Sequence, residues 1–142
     1  AQMARLRAVA ENPKRLDGPD GAMQAVHIRF DRKSPEYGDV QEAGRPQTWN
    51  HKQNDALGLF LDLFCRAILA GEIRPDDLFG RRREMIEALA RYFQAVKFHD
   101  MADAGSWEEI ERVNTSSVAL VTSGLERLLL VRKYFPGVRS AE

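Results

Sequence analysis

A cluster of side chains suited to hydrogen bonding and ring stacking stands at residues 49–55. Its members are Trp49, Asn50, His51, Lys52, Gln53, Asn54 and Asp55. A sugar ring can stack its C–H face on an aromatic side chain while amides and carboxylates bridge its hydroxyl groups. The same segment also opens a strongly apolar run, so a helix cap with a packed tryptophan explains it as well. The cluster alone leaves both interpretations open and favours the cap.

A second chemical cluster consists of Trp107, Glu108 and Glu109. An apolar wall or a neighbouring like charge raises the pKa of a carboxyl group, and a raised pKa is what a general acid needs to protonate a leaving oxygen near neutral pH. The structural alternative is an acidic first turn of a short helix, which is favourable for the helix dipole. Spacing alone favours this alternative.

Other kinds of reactive site are not indicated. His27, His51 and His99 are scattered without the spacing of metal ligands. Ser116 and Ser117 lack the G-x-S-x-G setting of a nucleophile. The chain also has no glycine-rich phosphate loop. We therefore predict neither a metal nor a cofactor.

The composition is that of an ordinary soluble domain. The 142 residues are 44% apolar, and 21 basic residues balance 21 acidic ones. This balance favours neither nucleic acid nor a membrane as partner. The single cysteine, Cys65, lies in an apolar run and is predicted to be a buried, reduced thiol. The sequence shows no signal-peptide pattern and no apolar segment long enough for a comfortable membrane span, although it begins at Ala1 without a methionine, so the missing signal says little. We expect a cytoplasmic protein.

Apolar periodicity predicts the helices that must position both clusters. They cover residues 1–11, 53–71, 75–97 and 116–135, with Asn114 or Thr115 as the cap of the last. Gly71 suits the end of the second helix and Pro75 the start of the third. Residues 12–50 have loop composition, with one possible short strand at 26–30.

The second and third helices differ in their apolar patterns. The helix at 53–71 is apolar nearly all round, which predicts burial on every side, whereas the helix at 75–97 carries one apolar stripe. Asp62 and Arg66 are four residues apart and can pair on one face. The alternation favours an all-α fold with an inner and an outer layer. No linker divides residues 1–142, so we predict no internal domain boundary.

The order of the two clusters resembles that of the glucoamylase family, the family 15 glycoside hydrolases. The residues that carry this resemblance are Trp49, Gln53 and Asp55, then Trp107, Glu108 and Glu109, then the paired Ser116 and Ser117. The segments at 27–31 and 51–59 are similar to the bacterial branch, which is related to the glucoamylase-like domains of phosphorylase kinase regulatory subunits. The resemblance covers residues 25–134, most of the chain.

This resemblance implies an (α/α)6 barrel, a six-hairpin toroid, that hydrolyses α-glucosidic bonds at glucan or oligosaccharide ends with inversion. It places Glu108 as the general acid and Glu109 as a substrate-holding residue. Trp49 and Asp55 then line the sugar pocket. The remaining predicted substrate-binding residues are Lys52, Gln53 and Trp107. The resemblance implies no cofactor.

An inverting hydrolase also needs a second carboxylate as base, and nothing after Tyr134 supplies one. Residues 1–142 are therefore expected to be a partial catalytic domain, completed by helices from the rest of a parent chain. The alternative is a non-catalytic glucan-binding or regulatory module like the phosphorylase kinase domains. A third possibility is a helical interaction domain whose motifs match by chance.

Overall fold

A computed structural model of the chain describes residues 2–34, 38–78, 80–105 and 110–135. Over these residues the protein is mostly helical, which confirms the all-α class in its coarse form. The described α-helices are α1 Gln2–Glu11, α2 Gly21–Gln24, α3 Asn54–Leu69, α4 Arg81–Ala95 and α5 Thr115–Tyr134. The other elements are 3-10 turns at Pro13–Leu16 and Pro75–Leu78 and a hairpin of β1 Gln41–Glu42 and β2 Arg45–Pro46. The described helices do not close a barrel.

Helices α3 and α5 lie side by side and run parallel. Gly58 in α3 meets Val121 in α5, and one turn further along Asp62 meets Arg127. A Cβ atom placed on Gly58 would lie 2.5 Å from the backbone nitrogen of Val121. A Cβ atom placed on Gly124 would lie 2.9 Å from the backbone oxygen of Gly58. Both positions therefore need glycine because the two backbones approach closely.

Asp62 is a buried charge that ties this helix pair together. Its carboxylate accepts hydrogen bonds from Arg66 at 2.7 Å, Ser123 at 2.8 Å and Arg127 at 2.5 Å. Burial by itself would raise the pKa of Asp62, but the three donors outweigh burial and lower it. The predicted pairing of Asp62 with Arg66 is confirmed, and α5 adds two further donors.

Helix α4 runs antiparallel to α3. The end of α4 lines the same cleft as Lys52, which stands just before the start of α3. Its buried residues are Ile86, Ala88, Leu89, Tyr92 and Phe93. Helix α1 packs against α4, and Arg7 of α1 pairs with Glu84 of α4 at 3.1 Å. The single helix predicted for 75–97 is interrupted. Gly80, with φ +64°, separates the 3-10 turn from α4.

Two further expectations need correction. Helix α3 is not buried on every side, since Leu59, Phe60 and Leu63 remain 43%, 40% and 55% exposed. Because the apolar residues of α3 surround the whole helix, their pattern could not show that the described residues cover one face only. The possible strand at 26–30 is also wrong. Its alternation is real, but no neighbouring backbone pairs with it among the described residues, and Ile28 and Phe30 face outward.

Cys65 lies in the core of α3 and is fully buried, as predicted. Burial, with the nearby charge of Asp62, raises the pKa of its thiol to about 11. The described helices include none that is both long enough and apolar enough to cross a membrane.

Candidate functional site

The starts of α3 and α5 meet at a group of polar side chains that we call the polar junction. It consists of Asn50, Lys52, Asn54, Asp103, Glu111 and Asn114. Its centre is Asp103, which is fully buried. One carboxylate oxygen accepts the backbone N–H of Asn54 at 2.9 Å, and the other accepts the side-chain amide of Asn114 at 2.8 Å. A single carboxylate thus caps α3 and holds the residue that precedes α5.

The second half of the polar junction is the set of contacts around Glu111. Its carboxylate accepts hydrogen bonds from Asn50 and from the ammonium of Lys52, each at 2.9 Å. The Lys52 side chain is only 14% exposed. Backbone bonds reinforce this arrangement, since the Ala104 N–H donates to the Lys52 carbonyl at 2.9 Å. The segment at 50–54 is therefore joined to Asp103, Ala104 and Glu111 at one end of the helices.

The predicted acid motif, Trp107, Glu108 and Glu109, lies outside the described residues. The chain leaves the polar junction at Gly105 and re-enters the described part at Ile110, next to Glu111. The structure thus describes the residues on both sides of the motif. It places them against the segment that carries Lys52.

The residues predicted in the first motif have structural contacts of their own. Gln53 and Asp55 are buried at the first turn of α3, and Trp49 is half-buried. The Arg29 guanidinium lies 5.0 Å from the centre of the Trp49 ring, within cation–π range. Lys52 is held by Glu111. The segment at 49–55 therefore packs and pairs at the start of α3, although the side chain that caps the helix is Asp103 and not a residue of this segment.

A buried histidine cluster supports the Trp49 segment from behind. Its residues are Arg5, His27, Asp39, Trp49 and His51. The Arg5 guanidinium donates two hydrogen bonds to the Asp39 carboxylate, at 2.6 and 2.8 Å. His27 lies 3.0 Å from the same carboxylate. The rings of His27 and His51 stack 3.9 Å apart, and Trp49 packs on the edge of this pair.

The histidine cluster carries little charge near neutral pH apart from its ion pair. Hydrogen bonding from Arg5 lowers the pKa of Asp39 to about 2 against the opposing effect of burial. Burial, with charge repulsion from His27 and Arg5, lowers the pKa of His51 to about 4. Burial is also the largest cause that lowers the pKa of His27. Both imidazoles are therefore neutral and structural.

A cleft of about 490 Å³ opens beside the polar junction, between it, the first 3-10 turn and the end of α4. We call it the lysine cleft after the basic residues that line it, Lys14, Lys52 and Lys97. Asp17 and Glu111 are its acidic lining residues. Among the described residues, no three histidine, cysteine or acidic side chains are grouped to hold a metal ion.

Sequence reasoning missed Asp103, Glu111 and Lys97 as important positions. The role of Asp103 depends on contacts with residues 49 and 11 positions away in the sequence. Asn114 was identified as a cap, although its amide reaches Asp103 instead of its own helix. No local pattern marks such long-range partners.

Comparison with known proteins gives one detailed relationship. Over 104 residues the chain is 51% identical to the uncharacterized lipoprotein YgeQ of Escherichia coli (strain K12). The matched region covers 72% of this chain and 39% of that protein. The chain thus spans well under half the length of the curated relative it matches. No family model matches the chain, and no solved structure matches it.

These findings overturn the glucoamylase resemblance. The relative is named as a lipoprotein and not as a glycoside hydrolase, and no family model supports family 15. The inverting glycosidase function, its phosphorylase kinase-like alternative and the link to carbohydrate metabolism are therefore wrong. The cytoplasmic expectation is wrong as well, because the similar protein is named a lipoprotein. Short motifs misled here because residues 49–55 carry the contacts of a helix end.

Proposed function

We propose that this chain is a helical binding domain of a cell-envelope lipoprotein, tethered to a membrane by a lipid. The observation that carries this proposal is the 51% identity to a lipoprotein over 72% of the chain. A lipid tether needs no membrane-spanning helix, because buried acyl chains supply the membrane affinity. The described helices are compatible with this arrangement.

The attachment point of the lipid lies outside these 142 residues. Cys65 is the single cysteine of the sequence, and it is fully buried between α3 and the rest of the core. Its raised pKa also disfavours the reactive thiolate. Acylation at Cys65 would force a long apolar chain into a close-packed interior, which the fold cannot accommodate.

The binding role is supported by the geometry around the polar junction. Paired polar groups fix the ends of α3 and α5, and the lysine cleft opens directly beside them. A rigid frame next to an open, charged cleft is what a ligand site requires. Enzymatic activity with Glu108 as catalytic residue stays a prediction. So do ligand roles for Trp49, Lys52, Gln53 and Asp55, and for Trp107 and Glu109.

The predicted partners likewise stay predictions. These are an oligosaccharide or glucan substrate, the remainder of the barrel from the parent chain, and no nucleic acid as partner. The expectation of no membrane partner gives way to the lipid tether proposed above. The (α/α)6 barrel is retained as a proposal about the complete protein. It is supported by the parallel packing of α3 and α5, and by the exposed apolar side chains of Leu59, Phe60 and Leu63. A structure of the full-length protein with these side chains exposed to solvent would contradict it.

Fatty-acid labelling of the full-length protein tests the lipoprotein proposal. Cells that produce the protein are grown with an alkyne-tagged fatty acid and then fractionated. We expect the protein to carry the tag and to sediment with membranes. The Cys65→Ser variant should be tagged as strongly as the wild type, because Cys65 is not the attachment site. An untagged protein in the soluble fraction would refute the proposal.

A further inference from the structure

We propose that the lysine cleft binds the phosphate group of a small organic phosphate, with Lys14 and Lys97 as the phosphate-contacting residues and Lys52 at the edge of the site. This inference rests on the proposed binding role and is independent of the lipid tether. It assigns a ligand class to a cleft of about 490 Å³, which is large enough for a small organic molecule.

The first argument concerns charge. Lys14 and Lys97 line the lysine cleft, and neither has an acidic partner among the described residues. Lys52 is paired with Glu111, whose second oxygen is taken by Asn50. The Glu111 charge is therefore already compensated within the polar junction. Asp17 remains as the opposing charge against two unpaired ammonium groups.

The second argument concerns the backbone of Lys97. Helices α3 and α4 end in the same hydrogen-bond pattern. In α3 the Gly71 N–H bonds the Ile68 carbonyl at 3.0 Å, and the next N–H reaches back to Ala67 at 2.9 Å. In α4 the Lys97 N–H bonds the Gln94 carbonyl, and the next N–H reaches back to Phe93, both at 3.2 Å. The two helix ends are therefore a matched pair.

The matched pair differs at the one residue that must be left-handed. Gly71 has φ +78°, which glycine adopts freely, whereas Lys97 has φ +51°, which costs free energy for a residue with a Cβ atom. The other described non-glycine residue with positive φ is Ala43, in the turn of the β-hairpin. A strained residue whose charged side chain lines a cleft points to a role for that side chain.

The third argument selects the ligand class. The cationic lining residues are all lysines, whose ammonium groups bind phosphate as point charges. A phosphate monoester carries a charge near −2 and three acceptor oxygens, so two or three ammonium groups can share it. Leu16, Val96 and Met101 add an apolar wall for the organic part of the ligand. Inorganic anions would leave that wall without contacts.

The phosphate could come from a soluble phosphorylated compound or from a phospholipid headgroup. Calorimetric titration of the full-length protein separates the two, with glycerol 3-phosphate as one probe and monomeric short-chain phosphatidic acid, which also carries a phosphate monoester, as the other. Glycerol is the phosphate-free control. Saturable binding of the first probe alone identifies a soluble ligand, and tighter binding of the second identifies a headgroup. Either result supports the inference.

Variants test which lysines are responsible. Lys97→Gly and Lys14→Gln should each weaken binding by about 5- to 10-fold, as expected for the loss of one partly exposed charge contact. Lys33→Gln removes the same charge from an exposed position outside the cleft and should bind like the wild type. Glycine adopts the left-handed backbone at position 97 without strain, so Lys97→Gly should fold normally and any loss of binding reflects the missing side chain.

The inference is overturned if neither probe binds, or if both cleft variants bind as tightly as the wild type. If no phosphate binds while the fatty-acid tag is incorporated, the ligand assignment fails and the lipoprotein proposal stands. If the phosphate probe binds to an untagged, soluble protein, the lipoprotein proposal fails and the ligand assignment stands.

Discussion

The polar junction and the lysine cleft lie next to each other and share Lys52 and Glu111, yet their polar groups are used differently. In the polar junction, Asp103 is fully buried and both of its oxygens accept hydrogen bonds from the protein itself. In the lysine cleft, Lys14 and Lys97 have no acidic partner among the described residues. Polar groups satisfied by their own chain stabilise the fold, and those left open are available to a ligand.

The comparison also explains why residues 49–55 suggested a sugar site. A helix end that is capped by distant side chains needs amides, carboxylates and a nearby aromatic, which is the same mixture that a sugar site uses. Lys52 is paired with Glu111 beside the start of α3, while the unpaired lysines Lys14 and Lys97 lie at positions with no motif. Residue type alone therefore cannot distinguish side chains that stabilise a helix end from side chains that bind a ligand.

The largest expected effect is on the stability of the polar junction. Asp103→Ala should lower the free energy of unfolding by roughly 2–4 kcal/mol, because it leaves the buried Asn54 N–H without an acceptor and removes one of the acceptors of the Asn114 amide. Asp103→Asn keeps the volume and one acceptor oxygen and should lose clearly less. Urea unfolding followed by circular dichroism measures both. If Asp103→Ala were as stable as the wild type, the claim that the polar junction stabilises the fold would be wrong.

An intermediate effect is expected from pH, through the buried histidine cluster. The pKa values of His27 and His51 are lowered in the folded protein, to about 4 for His51, from 6.5. As pH falls from 6.5 toward 4, the unfolded chain takes up protons that the folded chain does not, so stability falls over this window and is greatest above it. His51→Gln should show a shallower fall. A variant whose urea midpoint follows the wild-type pH dependence would contradict this.

The smallest expected effect comes from exchanging residues between the matched helix ends. Lys97→Gly should raise the free energy of unfolding by up to about 1 kcal/mol, because glycine adopts the left-handed backbone without strain. Gly71→Lys should lower it by about 1 kcal/mol, since open space surrounds Gly71 and the backbone alone decides the cost. Thermal unfolding of both variants tests this. A loss of stability in Lys97→Gly would show that Lys97 itself holds the fold.

The sequence predicted the helices well and their contacts poorly. Apolar periodicity and caps located α1, α3 and α5 to within a residue or two, because those signals are local. The break at Gly80 and the exposed face of α3 were missed, since they depend on what lies nearby in space. For the same reason the role of Asp103 was missed. The lysine cleft was not predictable, because Lys14, Lys52 and Lys97 come together only through packing.

The central claim is that stability and ligand binding reside in separate, adjacent regions. Thermal unfolding with and without glycerol 3-phosphate tests it in one measurement, using the wild type, Asp103→Asn and Lys97→Gly. We predict that Asp103→Asn unfolds at a lower temperature but keeps the upward shift caused by the ligand. Lys97→Gly should unfold at the wild-type temperature or above and lose most of that shift. The claim is contradicted if Lys97→Gly keeps the full shift while Asp103→Asn loses it.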